Sequence, residues 1–380
     1  MSRRSYRVAA TAVTAVAVST AFGLASGGVA AASASSSTAT GVVFAQNDAT
    51  DGNTIFAFDR AADGTLTQAG SFATGGLGGS LSGAVVDRTA SQGALVADRA
   101  NHELYAVNAG SNTISVFGVS GDHLTLQQVI DSGGSFPVSI TTRGDALYVL
   151  NARDGGSIQG FRNNNGHVVR VAGWHRTLGL DPTATPEFTH TPGQVAFTPD
   201  GQHLVVTTKA GSNSILVYGI GAAGQPSATP TVRAEDGTVP FAVAFDSRGN
   251  LQIADAGPSA VSTYSLAPDG SLTLLGTTLT HQAATCWISS YGNLLVASNA
   301  GSGSVSSLTA TATAPSFVGN TAAGAGTVDA SFTPDGAELY VQGGKLGQIS
   351  AFTVGSGGAL TSVGTVTVPN AVGGEGIVAW

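Results

Sequence analysis

Short apolar runs recur along residues 41–380, separated by turns rich in Gly, Ser, Asn and Asp. V-A-F at 195–197, V-A-F at 243–245 and A-S-F at 330–332 read as one kind of strand. Two of them run into T-P-D-G, at 198–201 and 333–336, where Pro presets φ and Gly closes a type I turn. D-S-R-G-N at 246–250 and T-R-G-D at 142–145 occupy the same place in other copies. A second strand follows, as in L-Y-A-V at 104–107, L-Y-V-L at 147–150 and L-V-V-T at 204–207. A third follows a loop of the type N-A-G-S, and a fourth begins at G-x-L-T, as at 64–67 and 270–273.

The loop and third strand repeat most clearly. V-N-A-G-S-N-T-I-S-V-F at 107–117 returns in looser form six more times, closing on an apolar residue at 58, 117, 161, 218, 264, 308 and 352. The steps are 59, 44, 57, 46, 44 and 44, which suits blades of about four short strands. The prediction is an all-β, seven-bladed β-propeller over 41–380. G-V-V-F-A at 41–45 has no strand candidate before it, whereas G-I-V-A-W at 376–380 matches an inner strand with nothing after it. The C-terminal strand is therefore expected to complete the first blade and close the ring, limiting exposed edges. Two stretches exceed the repeat. Residues 77–93 precede blade two, and 162–193 link blades three and four, carrying Trp174, His175, Arg176, Glu187 and His190.

Before the repeats, Arg3, Arg4 and Arg7 precede an apolar stretch from Val8 to Leu24, and A-x-A sites end at Ala32 and Ala34. This reads as a signal peptide over 1–34 with a flexible lead-in at 35–40, hence a secreted protein. S-R-R-S-Y-R at 2–7 leaves the general and the twin-arginine export routes both open. No later window is apolar enough for a membrane span. Cys286 stands alone and cannot form an internal disulfide, and it reads as a small buried hydrophobe. A net charge of −8 with 10% charged residues excludes the basic stripe that nucleic acid requires. G-x-S-x-G, H-E-x-x-H and Cys/His ligand spacings are absent, so neither a metal nor any other cofactor is expected.

In a four-stranded blade, the loops joining strands two and three share a face with the loops joining successive blades. That face gathers Asn47, Asp48, Asn108, Asn151, Arg153, Asp154, Lys209, Asp255, Asn299 and Lys345 at one mouth of the central channel. The inter-blade loops add Phe136, His190, Gln194, Trp287, Asp329 and Glu375. The asparagines read as turn residues, and Lys209 with Asp255 reads either as a mutually neutralising pair or as chemistry. Trp287 reads either as core or as a stacking platform.

Several stretches resemble the secreted seven-bladed lactonase-like propellers grouped with 6-phosphogluconolactonase and carboxymuconate cyclase. They are A-V-N-A-G-S-N-T-I-S-V-F at 106–117, S-G-G-S-F-P-V-S-I at 132–140, G-Q-V-A-F-T-P-D-G at 193–201 and V-P-F-A-V-A-F-D at 239–246. A-A-T-C-W at 283–287 and G-E-G-I-V-A-W at 374–380 complete the set. The resemblance implies a lactonase-like or cyclase-like enzyme acting on a small lactone or carboxylate at the channel mouth; by default the propeller is expected to be a monomer. It also implies a histidine, arginine and glutamate set there. This chain departs from that pattern: T-P-G-Q places Gly193 where a histidine is implied, T-V-P-F at 238–241 replaces an Arg-His pair, and the Asp255 region replaces a glutamate. Lactone opening needs an activated water and a donor for the developing oxyanion. His190, Lys209, Asp255 and Glu375 are the catalytic candidates; Arg153, Gln194, Trp287, Phe136 and Asp329 are the substrate-binding candidates. The likeness of V-N-A-G-S-N-T-I-S-V to cell-surface repeats keeps a non-catalytic extracellular binding propeller as the alternative.

Overall fold

The computed structural model describes residues 39–380; the leader read at 1–34 and nearly all of the lead-in lie outside the described residues. Seven four-stranded antiparallel sheets follow one another along the chain, as the repeat predicts. Blade two is typical, with strands Leu95–Asp98, Glu103–Asn108, Thr113–Ser120 and His123–Asp131 running from the innermost to the outermost. Blade one differs in the expected way. Its innermost strand is Ile377–Ala379, paired antiparallel to Gly41–Gln46 with Val43 opposite Ala379 and Ala45 opposite Ile377.

The seven closing residues of the repeat explain why the blades stack. Phe58, Phe117, Phe161, Tyr218, Tyr264, Leu308 and Phe352 are all buried. Each packs on the preceding blade: Phe117 lies with Phe44 and Ile55, Phe161 with Tyr105 and Val116, and Phe58 with Tyr340 and Ile349. Burying one such side chain contributes about 1.5–3 kcal/mol, against a typical total stability of about 5–15 kcal/mol. Seven such contacts, one per blade interface, hold the ring without a disulfide. In six blades the pairing of the third and outer strands slips at the closing residue, as between Val116 and Phe117 or between Ala351 and Phe352. Such a bulge bends and twists the strand, which suits a blade whose outer edge must turn away from the axis.

The T-P-D-G turns form as read, with the Gly201 amide donating to Thr198 O at 2.8 Å and Gly336 to Thr333 O at 2.9 Å. Both glycines are left-handed, with φ near +72° and +71°. One expectation is corrected. Residues 162–193 are not all linker, because His167–Thr177 forms the outer strand of blade three. Its start lacks the G-x-L-T signature, and Trp174 from this strand stacks on Tyr148 with ring centres 5.7 Å apart. The true link is residues 178–194, with a single helical turn, α1 (Glu187–His190).

Candidate functional site

Residues 77–93 decide what the mouth of the ring can do. Ser91 Oγ donates to Val138 O on the inner strand of blade three at 2.8 Å, while Trp287 Nε1 on the inner strand of blade six donates to Ser91 O at 2.6 Å. The Gln92 side chain bonds both the amide and the carbonyl of Ile288, each at 2.9 Å, and the Gln92 backbone amide donates to Gly193 O in the link before blade four at 3.1 Å. Blades three and six face each other across a seven-membered ring, so this segment spans the channel. Asp87, Thr89, Ala90, Ser91 and Gln92 are buried there. A buried loop is tolerable only when its polar groups are bonded. Asp87 meets that need locally by accepting from the Thr89 amide and hydroxyl and from the Ser91 amide.

The close approach of blades four and five accounts for Gly193. A Cβ there would lie 2.2 Å from Phe241 O and 2.9 Å from Thr207 Oγ1, so this packing excludes the histidine that the resemblance implies.

Six of the nine candidate residues are held in internal contacts, and of these Lys209, Glu375 and Trp287 bond the segment directly. Lys209, 1% exposed, donates from Nζ to Ala90 O and Phe188 O, both at 2.6 Å, and to Thr191 Oγ1 at 3.0 Å. Burial lowers its pKa to about 7, with Asp87 opposing the shift. Asp255 is fully buried, accepts the Ser262 hydroxyl, and is pushed up to about 7 by burial. No ion pair joins it to Lys209 among the described residues, which corrects the expected neutralisation; the two meet different neighbours. Glu375 accepts the Gly93 amide at 3.0 Å. Burial and the Asp329 charge hold Glu375 well above the usual carboxylate range, and burial pushes Asp329 to about 6. Gln194 Oε1 accepts the Val243 amide at 2.7 Å and fastens blade four to blade five. Trp287 packs on Phe241 with ring centres 4.7 Å apart, so it is core. The structure gives these residues internal partners rather than an open site.

The turn asparagines behave as read: Asn108 Nδ2 donates to Thr113 Oγ1 and Ser115 Oγ, and Asn299 Nδ2 to Ser304 Oγ and Ser306 Oγ. Cys286 is buried and its thiol is pushed up to about 12 by burial, which makes it inert.

The remaining three candidates come together. A cleft of about 130 Å³ opens on the mouth face between the second loop of blade three and the link at 178–194, lined by Arg153, Asp154, Asp181, Glu187, His190 and Thr191 among others. Arg153 grips Glu187 with two bonds, Nε to Oε1 at 2.7 Å and Nη2 to Oε2 at 3.3 Å. Its guanidinium lies 4.2 Å from the centre of the Phe136 ring, which gives the cation a flat apolar seat. The crossing segment steadies the pair, since the Ser82 amide donates to Glu187 Oε2 at 2.6 Å and Arg153 Nη2 donates to Ser80 O at 3.2 Å. Arg153 holds the Glu187 carboxyl below its ordinary range. His190 Nδ1 lies 2.9 Å from Pro186 O, a pure acceptor, and 2.9 Å from Thr189 Oγ1. That network assigns the ring proton to Nδ1 and leaves Nε2 as the basic nitrogen.

Glu187 and Asp181 were not singled out as site residues from the sequence. Their only signal was the length of the link. Arg153 carries one positive charge here against Glu187, Asp154 and Asp181, so the cleft is net acidic. Among the described residues no group of three His, Cys, Asp or Glu side chains is disposed to hold a metal ion, and no helix is long and apolar enough to cross a membrane.

No protein-family model and no curated protein matches the chain in sequence. Solved structures match it in shape. A proposed 6-phosphogluconolactonase of Bacteroides fragilis aligns with a TM-score of 0.70 at 20% identity, over 91% of this chain and 99% of that one. Another from Bacteroides uniformis gives 0.72 at 19% identity, over 89% and 98%. The periplasmic gluconolactonase of Pseudomonas aeruginosa gives 0.69 at 17% identity, over 89% and 98%. At these identities the likeness is one of fold, and the chemistry has to be argued from this chain's own residues.

Proposed function

We propose that this chain is an exported lactonase-like enzyme that opens a small uncharged lactone in the cleft of Arg153, Glu187 and His190. The observation that carries the reading is that convergence of a histidine with a bare Nε2 and an arginine fixed by a carboxylate at the one mouth-face cleft described above. His190 Nε2 takes a proton from water, and the resulting hydroxide attacks the lactone carbonyl. Arg153 Nη1, the guanidinium nitrogen that Glu187 does not engage, donates to the carbonyl oxygen as it gains negative charge. Collapse of the tetrahedral intermediate breaks the ring ester bond, and the His190 imidazolium returns its proton to the leaving alkoxide. The product is a hydroxy acid, which ionises. The acidic balance of Asp154, Asp181 and Glu187 opposes a phosphorylated or carboxylated substrate, which sharpens the expected ligand to a neutral aldonolactone. A volume of about 130 Å³ fits a single ring; pockets for drug-sized ligands run to about 300–1,000 Å³. The basic leader and its A-x-A sites support export.

The test is proton release from an uncharged δ-aldonolactone and its phosphorylated counterpart, corrected for spontaneous opening. The neutral lactone should be preferred, and His190→Gln should lower kcat about 100-fold or more, the usual contribution of a general base. No turnover above the spontaneous rate, or an unchanged rate in His190→Gln, would overturn the reading. It would favour the second one, a non-catalytic binding propeller, which draws support from the filled channel.

A further inference from the structure

Lys209 is a buried cation on the mouth face whose contacts reach the cleft without entering it. It comes from blade four in a left-handed backbone conformation, φ 48°, an unusual posture for a long side chain. Its three donors meet three acceptors: Ala90 O of the crossing segment, Phe188 O within α1, and the hydroxyl of Thr191 just beyond it. Phe188 and Thr191 bracket His190. The aliphatic stem and ammonium sit over Phe241, with Nζ 5.3 Å from the ring centre. We propose that Lys209 is a positioning residue, an ammonium clasp that fixes the His190 turn against the crossing segment and so aims Nε2 into the cleft. The inference rests on the reading of His190 as the base.

An ammonium has three N–H donors and a neutral amine has two. With Lys209 almost inaccessible to water, loss of its proton leaves one of the three acceptors unbonded, and the bracket around His190 loosens. The titratable groups that face it are Asp87 from the crossing segment, Glu187 from α1 and the neutral Cys286 thiol from blade six. Burial outweighs them and brings loss of the proton to about pH 7. Activity should therefore fall as Lys209 loses its proton, which gives the pH profile an alkaline limb.

The chain has two lysines, Lys209 and Lys345, so ¹³Cε-labelled lysine gives two signals, assigned with Lys345→Arg. The Lys209 signal should titrate near neutrality, and the His190 ring resonance, assigned with His190→Gln, should show an inflection at the same pH. In Lys209→Met, which keeps the apolar stem, that His190 inflection should vanish. The same variant should lower kcat by about 10- to 100-fold with KM little changed, as misplacement of a catalytic group does, and should lose the alkaline limb of the pH profile. Thr191→Val removes one acceptor and leaves the lysine, so it should shift kcat in the same direction by less; it replaces Lys209→Met if that variant does not fold. A Lys209→Met profile that keeps the alkaline limb, or a His190 inflection that persists in it, would overturn the clasp. If the wild type turns over no lactone, the enzyme reading fails, and the NMR titration still decides the clasp.

Discussion

The mouth face carries two segments without strands of their own, residues 77–93 and 178–194, and they meet opposite fates. Both are polar and glycine- or proline-containing, and composition gives no reason to treat them differently. The first is drawn into the channel because the inner strands of blades three and six offer it carbonyls, an amide and an indole N–H. The second stays on the rim and leaves Arg153, Asp181 and His190 around an open cleft. A loop becomes core when the wall beside it presents unpaired backbone groups, and it becomes a site when its own charged groups are left partly unspent. The same polarity serves stability in one place and chemistry in the other.

Removing the first segment is the harshest way to break the contrast. Replacing residues 80–92 with a short Gly-Ser linker strips partners from Lys209, Trp287 and Ile288 at once. The expected outcome is loss of the cooperative thermal transition; a melt as sharp as the wild type's would show that the segment is ornamental. A gentler probe is pH. Asp48 and Asp255 are raised to about 7 and Asp329 to about 6, and Glu375 is raised too, in each case first by burial. A carboxyl that holds its proton more tightly when folded contributes stability in full below its unfolded pKa, near 3.8 for Asp and 4.5 for Glu, and loses that contribution as pH rises through the folded value. Each contributes on the order of 1.4 kcal/mol per pH unit within that window. The thermal midpoint should be higher at pH 5 than at pH 8. A flat profile would mean that water reaches these groups and that the channel is not sealed.

Gln92→Ala isolates one contact of the segment. It leaves the amide and carbonyl of Ile288 buried without that partner, at a cost of about 2–4 kcal/mol by urea melts, since each orphaned group costs about 1–3 kcal/mol. A change below about 1 kcal/mol would mean that water replaces the glutamine. Glu187→Gln is the counterpart on the rim. Its pair with Arg153 is partly exposed, so stability should fall by less than about 1 kcal/mol while lactone turnover drops clearly. Equal losses in both readouts would erase the distinction between the two segments.

The fold was legible because one physical requirement recurs: every blade must seal against its neighbour with an apolar residue at the same point of its third strand. Phe58 through Phe352 report it directly, and the ending I-V-A is recognisable as the strand that blade one lacks. The outer strand of blade three escaped because its turn, N-N-N-G-H, does not use the G-x-L-T opening. The site was only half legible. Topology places Arg153 and His190 on one face, but nothing local distinguishes an open position from one that a distant segment will cover. Lys209, Asp255 and Glu375 all sit at mouth-side strand ends or loops, and D-R-T-A-S-Q at 87–92 reads as an ordinary surface loop. Its burial depends on partners up to 196 residues away, Trp287 and Ile288. Gly193 is the exception that carried information, because a missing side chain in a crowded place signals a backbone that must come close.

The closure of blade one also has a kinetic side. Val43 and Ala379 are paired across almost the whole chain, a contact whose loop-closure entropy would be large in an unstructured polypeptide. Once the other six blades have stacked, their curvature has already carried both strands to adjacent positions, and the remaining search is short. Three residue pairs then form the seam, which makes it the natural last step of assembly and the first place where the ring parts under load.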